Sequence, residues 1–103
     1  MPQTYPWMKP KGAQISAPIT TSTTTTINIG SGVIFAGLLV NIAGSAWNAE
    51  IYNGDPTSGG VLLTTISCDT VGPVASPLLN CPQGLYVVTA GTTAGSVNVA
   101  FYN

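Results

Sequence analysis

The side chains able to do acid–base, nucleophilic or metal chemistry form a short inventory. They are Glu50, Asp55, Asp69, Cys68, Cys81, Lys9 and Lys11, with no histidine in the 103 residues. Without histidine, general acid–base work falls to three scattered carboxylates, and glycoside hydrolysis needs two of them facing each other across the scissile bond. Asp55 precedes Pro56 in a turn-forming run, where an aspartate closes the loop through its own carboxylate. Calcium asks for several clustered oxygens and zinc for four closely placed Cys or His ligands, and neither set is present. The expectation is a protein that is not an enzyme and holds no cofactor and no metal.

Two further groups have a chemical reading beside a structural one. Cys68 and Cys81 bracket the run CDTVGPVASPLLNC; a disulfide there would close a loop of about 14 residues and contribute about 3 kcal/mol in the chain-entropy account. The alternative is two separate thiols in a chain made in a reducing cytoplasm. Tyr52, Tyr86 and Tyr102 stand in strand-like runs beside polar residues, so they are candidates for an aromatic platform that binds carbohydrate. The plainer reading of each is cross-strand packing.

Those residues have to be positioned by short β-type runs. From Ala13 onward Gly, Pro, Asn and Asp punctuate the sequence at the spacing of an all-β sandwich or barrel. The runs place eight strands near 13–19, 22–29, 33–41, 46–53, 60–67, 74–79, 84–90 and 95–102. Thr20 to Thr26 is nearly all Thr and Ser, β-branched or prone to local hydrogen bonding, which excludes helix there. No segment carries apolar residues at helical spacing with caps, so the chain should be nearly helix-free. In the fourth run Trp47, Ala49 and Ile51 alternate with Asn48, Glu50 and Tyr52, and in the last Val97, Val99 and Phe101 alternate with Asn98, Ala100 and Tyr102. The first set of each faces the core. Ile51 to Gly60, with Asn-Gly, Asp-Pro and Gly-Gly, joins two strands as a hairpin-like loop.

The fold class is therefore all-β: a single-domain β-sandwich or jelly roll of about eight antiparallel strands, spanning 13–103, behind an extended N-terminal arm, 1–12. Prolines 2, 6 and 10 withhold backbone donors and hold their predecessors extended. The arm's Tyr5, Trp7 and Met8 favour lying along a surface, its own or a neighbour's. It has no long apolar stretch of the kind a secretory signal carries. The longest apolar run, Val33 to Val40, is far shorter than the ~20 residues that span a bilayer. That run is apolar on both faces, which suits a strand covered outside by a partner subunit or by the arm.

Charge narrows the partners. Only 5% of residues are charged and the net charge is −1, against about a quarter charged in an average soluble domain. A surface this neutral suits a chain that lives among copies, so a homo-oligomer, dimer or trimer, is expected. Nucleic acid is not expected as a partner, because phosphate neutralisation needs several cations on one face.

The runs GVIFAGLLVNIAGSAWNAEIYNGDPTSGGVLLTTI and GLYVVTAGTTAGSVNVAFYN resemble the small all-β virion proteins of tailed bacteriophages. The points of likeness are a Gly-led apolar strand ending in Val40-Asn41, the Ala43-Gly44 turn, the Ile51-Tyr52 strand before a Gly-rich turn, Gly84-Leu85, and a closing strand from Val97 to Tyr102. The resemblance covers about 30–103 and is nearest to capsid decoration, or cement, proteins. It implies a compact sandwich on the virion surface, assembled in the host cytoplasm, whose partners are the major capsid protein or other virion proteins. Head fibres and tail components with related folds imply the alternative, a receptor- or glycan-binding module. With that resemblance, Tyr5, Trp7, Met8, Lys9 and Lys11 become the expected anchor to the shell or to an adjacent copy.

Overall fold

The computed structural model describes residues 12–103. The expected arm anchors Tyr5, Trp7, Met8, Lys9 and Lys11 lie outside the described residues. Eight strands follow in order: β1 (Gln14–Ile15), β2 (Thr24–Asn28), β3 (Val33–Ile42), β4 (Ser45–Asn53), β5 (Val61–Ser67), β6 (Gly72–Cys81), β7 (Leu85–Thr93) and β8 (Ser96–Tyr102). Each lies where a strand was expected. The one helical element among the described residues is a 3-10 turn, Pro56–Ser58, inside the β4–β5 loop.

The strands form two four-stranded sheets, β1-β8-β3-β6 and β2-β7-β4-β5. Every pairing is antiparallel. In chain order the first strand pairs with the eighth, the second with the seventh, the third with the sixth and the fourth with the fifth. That is one long antiparallel ribbon, with the β4–β5 hairpin at its tip, rolled so that successive pairs alternate between sheets. This order is the jelly roll, the choice that alternation along single strands leaves open.

The core between the sheets is Val33, Phe35, Leu38 and Val40 of β3, Trp47, Ala49 and Ile51 of β4, Leu85 and Val87 of β7, and Val97, Val99 and Phe101 of β8. The faces expected for β4 and β8 are the observed ones. β3 carries apolar residues on its outward face as well, Ile34 half-buried and Leu39 exposed, but its inward set is not the one simple alternation gives. Its inward residues step from Val33 and Phe35 to Leu38 and Val40, because the register slips between Phe35 and Gly37 against both neighbours. A bulge inserts residues and shifts the phase of alternation. The slip therefore carries Leu38 and Val40 into the core behind Val33 and Phe35 and leaves Ile34 and Leu39 outward.

The second strand starts at Thr24, two residues later than expected, since Thr20 to Thr23 is the crossover between sheets. Ile19 bridges Val97 at the first sheet, and Thr89 receives the chain at the second. The buried Thr89 hydroxyl donates to the Thr21 carbonyl at 2.7 Å and accepts from the Thr23 N–H at 3.1 Å. A hydroxyl can do both at once, so the buried Thr89 side chain is satisfied while it fastens the exposed crossover to the second sheet.

Candidate functional site

The acids stand apart. Asp69, in the β5–β6 loop, accepts the Trp47 backbone N–H at 2.9 Å, so it holds the start of β4. Asp55, past the end of β4, caps the 3-10 turn: its carboxylate accepts the Thr57 N–H at 2.9 Å and the Thr57 hydroxyl at 2.7 Å. These two bonds hold the Asp55 carboxyl below its usual range. From Trp47 to Asn53 a strand advances about 20 Å, so Asp69 and Asp55 mark opposite ends of the sandwich. Glu50 lies between them on the outward face of β4. No group of three or more His, Cys, Asp or Glu suited to a metal ion occurs among the described residues.

The cysteines are separated in the same way. Cys68 donates its N–H to the Trp47 carbonyl at 2.8 Å and accepts the Gly44 N–H at 2.9 Å, at the Asp69 end. Cys81 pairs with Val33 at the other end and accepts the Gly84 N–H at 3.0 Å. Both are free, buried thiols, and Cα atoms beyond about 7 Å cannot be bridged without moving the backbone. The structure thus departs from the disulfide alternative for Cys68 and Cys81 and has the separate thiols. Burial raises the pKa of both, and at Cys68 the Asp69 charge adds to the rise.

The outward face of the second sheet brings together two of the three candidate tyrosines. Tyr86 of β7 and Tyr52 of β4 are direct partners. Tyr86 is in turn opposite Thr26 of β2, and Tyr52 opposite Leu62 of β5. The adjacent row of the same face is Thr24, Val88, Glu50 and Thr65. Tyr52, Tyr86 and Glu50 are half-buried while the flanking threonines are exposed. Tyr102 does not join them, since it lies opposite Ile34 on the first sheet. Alternation shows that both Tyr52 and Tyr86 point outward; their adjacency depends on the β4–β7 register, which joins residues distant in sequence.

The outward face of the first sheet is of another kind. None of its four strands contains a charged residue. Ile15 is 57% exposed, Leu39 39% and Tyr102 37%; Ala100 is opposite Ile15, Ile34 opposite Tyr102 and the polar Asn98 opposite Leu39. At the edge of the β3–β6 pair a shallow depression is lined by Ser31, Gly32, Val33, Ile34, Asn80, Cys81 and Pro82. Its only ionisable group is the Cys81 thiol, whose raised pKa keeps it protonated.

Fold and faces together define a jelly-roll sandwich with one uncharged face of apolar residues and asparagines and one face of hydroxyls, aromatic rings, Leu62, Val88 and a single acid. No protein-family model, no curated protein and no solved structure matches the chain.

Proposed function

We propose that this protein is a non-enzymatic structural component of a virus particle, a capsid decoration or cement protein that binds and stabilises an assembled phage head. The observation that carries the reading is the uncharged outward face of the β1-β8-β3-β6 sheet with Ile15, Leu39 and Tyr102 exposed. Burying such a face gains about 25 cal/mol per Å² with no charge to desolvate. Weak contacts of this kind become strong when repeated over a lattice of copies. The jelly-roll order is itself common in viral coat proteins, which supports the reading by analogy of fold. The arm, with Tyr5, Trp7, Met8, Lys9 and Lys11, is the proposed anchor to the major capsid protein or to an adjacent copy in a dimer or trimer.

A ligand that binds only the assembled shell stabilises it by mass action. Full-length chain should therefore co-sediment with shells and raise the temperature at which they release their genome. Deleting residues 2–12, or placing a charge on the neutral face with Leu39→Glu, should leave the sandwich folded and abolish co-sedimentation. Undiminished binding of both variants would discard the reading.

A second reading, a receptor- or glycan-binding module of a head fibre or tail, is favoured by one observation, the side-by-side Tyr52 and Tyr86 on the opposite sheet.

A further inference from the structure

The outward face of the β2-β7-β4-β5 sheet is built differently from a face that only covers a core. Directly opposed residues on antiparallel strands have Cβ atoms about 5 Å apart, so the Tyr86 and Tyr52 side chains rise from the sheet as immediate neighbours. The Tyr86 ring has a bed: its Cε1 lies 3.2 Å from where a Cβ on Gly84 would stand. With φ at +100° and the Asn28 carbonyl oxygen and Ile29 Cα also close, position 84 admits glycine alone at no cost. The edge of the ring thus comes against the space a side chain at 84 would take, and the ring is left half-exposed on the outward face. Glu50 stands two residues along β4 from Tyr52, about 7 Å away by strand geometry. Exposed Thr24, Thr26 and Thr65, exposed Leu62 and half-buried Val88 complete the rows.

The charge on this face selects the occupant. Glu50 is the only charged residue in the four strands of the sheet. A sulfated or sialylated sugar, a phosphate or a nucleic acid would meet a carboxylate with no cation from these strands to offset it. A neutral pyranoside has what the face asks for. Its flat C–H surface can cover an aromatic face, and its hydroxyls can donate to a carboxylate and exchange hydrogen bonds with threonine. We infer that the Tyr86–Tyr52 pair with Glu50 is a binding site for a neutral oligosaccharide, the rings stacking on sugar faces and Glu50 accepting from sugar hydroxyls. This rests on the second reading above and is independent of particle association, which the first sheet's face and the arm would carry.

The test titrates isotopically labelled full-length chain with neutral tetrasaccharides built from glucose, galactose or N-acetylglucosamine, and with sialyl-lactose as the anionic comparison, following backbone amide resonances. At least one neutral tetrasaccharide should shift the amides of residues 50–52 and 86–88 and leave those of β3 and β8 in place, and sialyl-lactose should not. Tyr86→Ala and Tyr52→Ala should each weaken binding about tenfold, the size of one lost stacking contact. Tyr52→Phe, which keeps the ring, should bind within a few-fold of the native chain, and Tyr102→Ala on the other sheet should bind unchanged. The amide spectrum of each variant reports whether it is folded, and the Phe variant carries the comparison if an Ala variant is not. The inference is overturned if no neutral tetrasaccharide moves those amides, if sialyl-lactose binds as well, or if removal of the rings leaves binding intact. Failure here with particle association retained removes the site and leaves the structural reading standing.

Discussion

Trp47 concentrates the residue-scale logic of the fold. It is fully buried, and each polar group it brings inside has a partner: its N–H donates to Asp69, its indole N–H to Ser22 at 3.1 Å, and its carbonyl accepts from Cys68. Asp69→Ala would leave the Trp47 N–H unpaired and should cost about 1–3 kcal/mol, read as a lower urea midpoint with an unchanged slope. An unchanged midpoint would contradict the role given to Asp69. Asp55 offers a pH test. Its folded pKa lies below the unfolded value, so its stabilisation is complete above the unfolded carboxylate pKa and is lost as pH falls through the folded one. Asp55→Asn should flatten the acid limb of a plot of melting temperature against pH. Asp55 is at most half-buried and solvent screens its carboxylate, so the change is small, and superimposable limbs would show that the cap does not titrate as described. The thiols supply a third test. Buried and with raised pKa values, Cys68 and Cys81 should resist iodoacetamide in the native protein and both react in denaturant without reductant. Failure to react in denaturant would restore the disulfide, and fast native reaction would contradict their burial.

At the scale of elements, strand position and inward face could be read wherever alternation ran undisturbed, as in Ala46 to Asn53 and Ser96 to Asn103. It misled where the backbone breaks its period. In VIFAGLLV the one mark of the break is Gly37, since an isolated glycine within a strand signals a bulge or a close backbone approach, and alternation counted straight through it gives the wrong inward residues beyond it. The crossover at Thr20 to Thr23 showed only as the break between the first two runs, because threonines suit a strand equally well and their fastening, Thr89, lies far along the chain. The aromatic pair was half legible: alternation gave the direction of Tyr52 and Tyr86, and only the register gave their adjacency. Long-range pairing also explains Gly91. A Cβ there would sit 2.0 Å from the Ala46 carbonyl oxygen, with φ at +153°, so the chain needs glycine for β7 to approach the start of β4. Gly91→Ala should destabilise by about 2–5 kcal/mol in thermal or chemical unfolding, and a loss below one kcal/mol would contradict that close approach. The outer edges are guarded without charge. β6 carries Pro73 and Pro77, β5 and β2 have register shifts against their neighbours, and β1 has only two residues. Edges of this kind do not template further strands, which leaves the faces as the surfaces through which copies would meet.

The whole molecule divides its surfaces. Asp55 and Asp69 are spent on holding a turn and a strand start, and Glu50 is the single acid on the tyrosine face. The β1-β8-β3-β6 face is left without charge. Composition made the scarcity of charge legible, but not its distribution, since the jelly-roll roll-up decides which strands share a sheet. In the proposed function the neutral face meets the shell or other copies, and the tyrosine face is turned to the surroundings. The central claim, a structural protein repeated over a viral shell, is tested most directly by counting copies per purified particle with quantitative mass spectrometry against the major capsid protein. A decoration protein follows the symmetry of the shell and should be present on the order of hundreds of copies per particle. A count on the order of ten or fewer, as for a fibre or tail part, or absence from the particle, would contradict the account.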